Sequence, residues 1–421
     1  IMFSNSPVVL DLYQKLLGDN VLWQDREAWI YSHGTYTRYP FQGALYGLPP
    51  KVMTECIMGA IEARYGTAAT RAAANMPQDD CCGDGTAIDG ACAKAARPDK
   101  APADFEEFIY RTWGRGIAAH FAIPYNRKLW TVPLGEMETS WLGGRVPLPD
   151  LEQMIEGALS PVPRPMGPNA RFGYPLRGGF QALMNGFLPL LQGPLHLASR
   201  VLRVQPSRRM VELTDGRTFR YAHLVSTMPL PDLVAAIGLE APAAVRHAAA
   251  KLRRVSVRCV NLGIGRERIT DKHWIYYPGD TIFHRIFVQG NASPYCNPPG
   301  GFGITCEISY AEGKPLPCTG QALIDRCIAD CIRVGMLRAD DAILAAHEVD
   351  LPYAYVLYDH ARADAVKTIR QWLAGFDIHL AGRYSEWEYY NSDHAFLAGK
   401  RVADGILAAT GAGREAKALT A

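Results

Sequence analysis

Ile378-His379-Leu380-Ala381-Gly382-Arg383-Tyr384-Ser385-Glu386-Trp387-Glu388-Tyr389-Tyr390-Asn391-Ser392-Asp393 is the stretch on which the reading of this 421-residue chain turns. Ile378 to Ala381 is an apolar run of strand length, and a helical pattern begins at Asp393 and continues to Ala409. A strand ending in Gly-Arg just before a helix start brings backbone N–H groups and a guanidinium to one point. That arrangement suits an anionic cofactor. Taken alone, an ordinary loop with a helix cap meets the same description.

Working back from this segment, the order of elements predicts a mixed α/β chain with interleaved domains. The spacing predicts helices over Val8 to Leu17, from Pro49-Pro50 through Val52, Ile57 and Ile61, and over Asp104 to Arg115. Further helices are predicted over Pro149 to Leu159, Phe180 to Leu191, Gln321 to Val334 and Ala363 to Ala374. Strands are predicted over Val21 to Arg26, Ala28 to Ser32 and Thr35 to Tyr39, with His33-Gly34 as a hairpin turn. Leu195 to Val204, Met210 to Thr214 and Leu224 to Ser226 follow, with a turn at Asp215-Gly216, and Arg254 to Tyr310 reads mostly as strand. Ala73 to Pro102 loses all periodicity and reads as a long loop; its aspartates do not have the spacing of a calcium loop.

Composition narrows the function classes. Hydrophobic residues make up 48% and charged residues 20%, as in ordinary globular chains, and the net charge of +2 gives no field to attract nucleic acid. Anion recognition then falls to a few placed arginines. No apolar run reaches the roughly 18 residues of a membrane helix. The ten cysteines are scattered with no CxxC pair, which argues for reduced thiols rather than a disulfide scaffold or a metal site.

Four more stretches carry candidate chemistry. Arg177-Gly178-Gly179 would let a flat ring approach the backbone. Pro124-Tyr125-Asn126-Arg127-Lys128-Leu129-Trp130, with Trp141 to Val146, offers aromatic surface, an amide and Arg145 for a base or sugar plus a phosphate. Trp274 to Pro278 with Phe283-His284-Arg285, and Pro352-Tyr353-Ala354-Tyr355, add aromatics and a second arginine. Core packing with one exposed charge accounts for any one of these equally well.

Together they resemble a family, the UDP-galactopyranose mutases, within the wider flavin amine-oxidase-like group. The resemblance runs from Ile1 almost to the end. It includes Arg38-Tyr39-Pro40-Phe41-Gln42, Pro124 to Trp130, Leu142 to Val146, Gly167 to Phe172, Val225 to Met228, Ser293-Pro294-Tyr295, and Gly382-Arg383 with Asp393-His394. It implies an α/β fold: a Rossmann-like FAD-binding domain (1–22, 172–236, 376–421), an inserted helical domain (44–120) and an antiparallel-sheet substrate domain (23–43, 121–171, 237–375), with the active site between them.

The same resemblance implies the site. Arg145 and Arg285 match a pair that clamps the substrate diphosphate, and Arg383, Tyr353 and Tyr389 match further catalytic positions. Tyr39, Phe41, Gln42, Asn126, Trp130 and Tyr276 match the uridine and phosphate side, while Gly178, Gly179, Val204, Gly382, Arg383 and Asp393 match the cofactor side. The implied cofactor is FAD in its reduced form, whose N5 attacks the anomeric carbon while the diphosphate leaves and later returns. No side-chain general base is required. The implied partners are a UDP-sugar and NAD(P)H or another reductant, with self-association left open, no nucleic acid and no membrane span, in a cytoplasmic setting. A flavin amine oxidase or protoporphyrinogen oxidase-like enzyme would share the Gly-Gly and Gly-Arg elements without needing both Arg145 and Arg285.

The pattern departs from the family in places. No GxGxxG followed by an acidic ribose ligand is found, since Gly83-Asp84-Gly85 has the wrong spacing. The family carries that loop, then a Gly-Gly-His, upstream of the position of Ile1. The resemblance therefore implies a flavin domain missing more than roughly one βαβ unit of about 30 residues, and an inactive fragment is a third reading. Ala292 and His284 also differ from the usual family residues, which bears on the choice of sugar.

Overall fold

The computed structural model describes residues 1–66, 101–143, 148, 150–161 and 170–410. The chain divides into two compact units: Ile1–Glu27 with Pro168–His273 and Ile286–Ala421, and Ala28–Gly167 with Trp274–Arg285.

The first unit is mixed α/β. Strand Arg254–Ile264 pairs antiparallel with Phe302–Tyr310 on one side and Ile343–Val356 on the other. Phe302–Tyr310 nearly alternates between buried and half-buried positions, as expected of a strand with one face on a core. Ile304, Cys306 and Ile308 line that face, and helix Gln321–Arg333 buries Leu323, Cys327 and Cys331. Strand Ile378–Leu380 pairs in parallel with Leu224–Ser226, and Val201–Gln205, Met210–Leu213 and Thr218–Arg220 form an antiparallel meander. The opening helix, Pro7–Leu17, places Val9, Tyr13 and Leu17 in one cluster with Met2 and Leu183, against which Phe396 packs.

The second unit pairs Ala28–Ser32 antiparallel with Thr35–Arg38 and in parallel with Trp274–Tyr276. That parallel pairing departs from the wholly antiparallel sheet expected. Helices Pro50–Tyr65 and Phe105–Ile117 lie against each other through glycines: a Cβ on Gly59, Gly114 or Gly116 would overlap backbone atoms of the facing helix. The second helix starts where Asp104 accepts from the Glu107 N–H at 2.8 Å, an N-cap worth about 1 kcal/mol. It bends at Gly114 and runs through a π-helical turn, Ala118–Ala122, into Ile123–Trp130. Helix Leu151–Leu159 begins on a capping box between Asp150 and Gln153.

Most predicted elements are present within a residue or two, with three corrections. The helix expected over Phe180 to Leu191 is a five-residue helix, Gln181–Asn185, and a separate 3-10 turn, Leu188–Leu190. Gly186 and Phe187 keep helical φ and ψ, but Pro189 lacks the N–H that a continuation needs. The strand expected from Leu195 begins only at Val201. Helices Leu230–Ile237 and Ala243–Ala250 were not foreseen, being short and, in the second, too alanine-rich for an apolar period. All but the last two residues of the predicted Ala73 to Pro102 loop, Gly83-Asp84-Gly85 included, lie outside the described residues. None of the seven described cysteines is in a disulfide; the Cys306 and Cys331 sulfurs lie 3.7 Å apart, at hydrogen-bonding distance.

Candidate functional site

In the first unit the Gly382 to Asn391 loop is folded around two charged groups. Gly382 has φ +90°, a left-handed conformation that only glycine takes without strain, and a Cβ there would meet open space. Glu386, buried, accepts from the Gly382 N–H at 3.1 Å, from the Tyr390 hydroxyl at 3.2 Å and from Arg401 at 2.7 Å, with Arg370 at 3.4 Å. The carboxylate closes the loop on itself, and the Glu386 N–H donates back to the Gly382 carbonyl at 2.9 Å.

Arg383 is the second group. It donates through Nη1 to the Tyr390 carbonyl and through Nη2 to the Ala354 carbonyl, both at 2.7 Å. Its guanidinium lies 4.8 Å from the Tyr389 ring, 5.2 Å from Tyr355 and 5.7 Å from Tyr384, a cation caged by three π faces. Its Nε is buried with no hydrogen-bond partner among the described residues. A guanidinium has five donors, so two backbone bonds leave capacity for an incoming acceptor.

Tyr353 belongs to the same neighbourhood through Tyr384 and Trp387, each with ring centroids 6.2 Å away. Its hydroxyl donates to Asp232 at 2.5 Å and Arg254 lies over its ring at 4.2 Å. Burial, then the Asp232 carboxylate, pushes its phenol up to about 12. Neither Asp232 nor Arg254 stood out in the sequence. Tyr358 donates to Glu388 and accepts from the Tyr389 N–H, and Arg362 braces the loop from below by bonding the Trp387 carbonyl at 2.9 Å through Nε.

The other positions expected on the cofactor side belong to the same unit. Gly178 and Gly179 both take positive φ, +82° and +60°, and the nearest atom to a Cβ on Gly179 would be 3.9 Å away. Asn20 holds that turn from both sides, accepting from the Arg177 N–H at 2.8 Å and donating to its carbonyl at 3.1 Å. Val204 is buried in its strand opposite Val211. Asp393 stands in the first turn of helix Ser392–Thr410. Burial alone would raise its carboxyl, but the His394 hydrogen bond at 2.8 Å and charge outweigh that and hold it below the usual range.

In the second unit the candidate substrate residues form an aromatic ladder. Tyr39 stacks on Tyr276 at 5.0 Å, Tyr276 meets the edge of Tyr125 at 5.5 Å, Tyr125 stacks on Phe121 at 5.2 Å, and Phe121 on Phe41 at 5.0 Å. Tyr39 is half-buried, whereas Phe41 and Gln42 are buried. Asn126 donates to the Ala122 carbonyl at 2.8 Å and accepts from Trp130 Nε1 at 3.1 Å, and Trp130 is buried against Trp141. These two are therefore engaged in packing, apart from the ladder. Arg285 opens strand Arg285–Phe287 and is half-buried; Arg145 lies outside the described residues.

Lys128 is a positioning residue that sequence reasoning missed. Its ammonium shares three N–H donors among four acceptors, the carbonyls of Tyr277, Gly279 and Phe283 at 2.8–2.9 Å and the Thr281 hydroxyl at 3.0 Å. It ties down the whole turn that leads from Tyr276 to Arg285. A lysine among aromatics gave no signal of this, because its partners lie about 150 positions away in sequence.

Residues 135–316 match the family of flavin containing amine oxidoreductases. Among solved structures, a reduced UDP-galactopyranose mutase superposes with a TM-score of 0.84 at 24% identity, covering 97% of this chain and 82% of the other. A protoporphyrinogen oxidase candidate from Exiguobacterium sp. 255-15 gives 0.65 at 13% identity, covering 96% and 86%. A putrescine oxidase bound to putrescine gives 0.58 at 14%, covering 97% and 87%. The fold is thus the one that flavin amine oxidoreductases and UDP-galactopyranose mutase have in common.

Proposed function

We propose that this chain is a flavin-dependent sugar-nucleotide mutase that interconverts pyranose and furanose forms of an NDP-sugar such as UDP-galactose. What favours this reading over the other flavin enzymes of similar fold is the superposition on a reduced UDP-galactopyranose mutase, with a TM-score of 0.84 against 0.65 and 0.58; the flavin that both readings require is served by the caged Arg383. Its fixed cation, with three tyrosine faces around it, suits a flat, electron-rich cofactor and a sugar hydroxyl. The open, left-handed Gly382 and Gly179 suit close approach of a ring to the backbone. These residues fit FAD, which in reduced form supplies a nucleophilic ring nitrogen to the anomeric carbon.

In this reading the chain's own residues bind and orient. Arg145 and Arg285 neutralise charge on the leaving diphosphate and keep it close for its return. Tyr39, backed by Tyr276, offers the ring face for the base, with Gln42 on the uridine side; Asn126 would have to exchange its bonds to Ala122 and Trp130 to join it. Tyr353 and Tyr389 border the sugar. The Asp232 carboxylate must release or share the Tyr353 hydroxyl before it can donate to a phosphate oxygen. NAD(P)H or another reductant would prime the flavin, in a cytoplasmic setting.

The match of residues 135–316 favours a second reading, an amine oxidoreductase. One experiment separates the two. The protein is supplied with reduced FAD and UDP-galactopyranose, and the furanose is sought by chromatography; in parallel, putrescine is supplied with oxidised FAD and peroxide is measured. Furanose formation supports the mutase. Unchanged sugar nucleotide together with amine turnover would sink it.

A further inference from the structure

Two local irregularities of the second unit meet at one point. The first is the tip of hairpin Ala28–Ser32/Thr35–Arg38. Ser32 pairs with Thr35, so His33-Gly34 is a two-residue loop, and both take positive φ, +53° and +76°. Such a turn ordinarily selects Asn-Gly or Asp-Gly. A left-handed conformation is uncommon outside glycine, and histidine is among the side chains that take it more readily. The second is the π-helical turn Ala118–Ala122, which carries His120; π turns are rare and concentrate at functional positions.

The two side chains face each other. His33 Nε2 lies 3.1 Å from His120 Nδ1, and the rings are 5.0 Å apart at 65°. On the far side of its ring, His120 Nε2 donates to Glu55 at 2.6 Å, with Lys51 3.9 Å beyond on the same carboxylate. That bond places the His120 proton on Nε2 and leaves its Nδ1 lone pair pointing at His33. A carboxylate fixing the outer nitrogen of an imidazole is the usual support for a metal-bound histidine. Two nitrogens at about 2.0–2.1 Å from one ion stand roughly 2.9–3.4 Å apart, which matches the observed separation.

We propose that His33 Nε2 and His120 Nδ1, oriented by Glu55, form a binding site for one borderline divalent transition-metal ion such as Zn2+ or Ni2+. Imidazole suits these ions. Among the described residues no group of three or more His, Cys, Asp and Glu side chains converges as a metal site, so the two nitrogens supply the protein ligands and water completes the shell. Without metal, His33 Nε2–H donates to His120 Nδ1. On binding, His33 carries its proton on Nδ1 instead, both facing lone pairs go to the ion, and no proton is lost overall. The ion would pin the hairpin tip to the turn that follows helix Phe105–Ile117.

Equilibrium dialysis of untagged protein against Zn2+ alone, and separately Ni2+, tests this, with Cu2+ electron paramagnetic resonance as a ligand count. One ion per chain should be lost in His33→Asn, a change the left-handed turn accepts, and in His120→Asn. Glu55→Gln should weaken binding about 10–100-fold, and the Cu2+ spectrum should report two equatorial nitrogens that fall to one in His33→Asn. Unchanged stoichiometry and affinity in His33→Asn, as metal held by the cysteines would give, overturns the site. Circular dichroism confirms that the variants are folded; if His120→Asn is not, His33→Asn decides alone. None of these readouts depends on flavin or on sugar-nucleotide turnover.

Discussion

The Arg383 guanidinium lies 4.8 Å from the centre of the Tyr389 ring while its Nη1 bonds the carbonyl of the next residue, Tyr390. One arginine thus fixes both the backbone and a side chain of the loop that carries it. Lysine cannot reproduce this, because a point charge on a flexible stem replaces a planar fork with five donors.

If the proposed mutase reaction holds, Arg383→Lys should lower its turnover on the order of a hundredfold, the usual cost of losing a placed donor, with only a small change in melting temperature. Steady-state assay of the variant with reduced FAD, beside thermal melting, checks both. Wild-type turnover would remove Arg383 from the proposed site.

The tyrosines of the first unit predict alkaline sensitivity. Burial pushes Tyr13 up to about 12, and burial with the Asp232 carboxylate does the same for Tyr353. In the unfolded chain these phenols ionise near 10, so above that pH the unfolded state gains from ionisation that the folded state resists. Their contribution is intact below about pH 10 and is lost as pH rises towards about 12. Urea unfolding at neutral pH and at about pH 11 should show that loss, and Tyr13→Phe with Tyr353→Phe should make it shallower. Identical pH dependence in the double variant would refute the assignment.

How far the sequence reached depends on the range of the interactions involved. The hairpin Ala28–Ser32/Thr35–Arg38 was legible because alternation and a His-Gly turn are local signals, and the buried, half-buried, buried pattern of Ala28–Ser32 repeats that alternation. The Gly382-Arg383 loop was legible as a strand-to-helix anion motif. Its support was not: Glu386, Arg401 and Arg370 meet only after the chain has folded. The close approach of Gly186 to Leu16, about 170 positions earlier, is a contact that no local period encodes. Lys128 and Asp232 were hidden for the same reason.

Close helix packing in the second unit gives a stability prediction. A Cβ on Gly116 would overlap the Glu55 carbonyl and the Cys56 Cα, backbone atoms that cannot swing aside. Gly116→Ala should destabilise the protein by about 1–3 kcal/mol or more, the cost of overpacking. Ala122→Gly, nearby in the chain, should cost only about 1 kcal/mol as a propensity effect. Chemical denaturation of both variants separates the two mechanisms. A neutral Gly116→Ala would mean that the helices sit farther apart than described.

The aromatic residues of the second unit were expected as one substrate-binding set, and their surroundings predict that they part company under mutation. Tyr39 is half-buried and backed by Tyr276 at 5.0 Å, so its outer face can take a base. Trp130 is 1% exposed and its Nε1 already donates to Asn126. Base stacking on an aromatic is worth about 1–3 kcal/mol, or roughly 5–150-fold in affinity. Tyr39→Ala should therefore weaken UDP binding within that range while leaving the melting temperature nearly unchanged. Trp130→Phe should lower stability by about 1 kcal/mol or more through the lost hydrogen bond, with little effect on UDP. Calorimetric titration with UDP and thermal melting of each variant decide between the roles. If Trp130→Phe weakens UDP and Tyr39→Ala does not, the base stacks on the tryptophan and the helix Ile123–Trp130 must open to receive it.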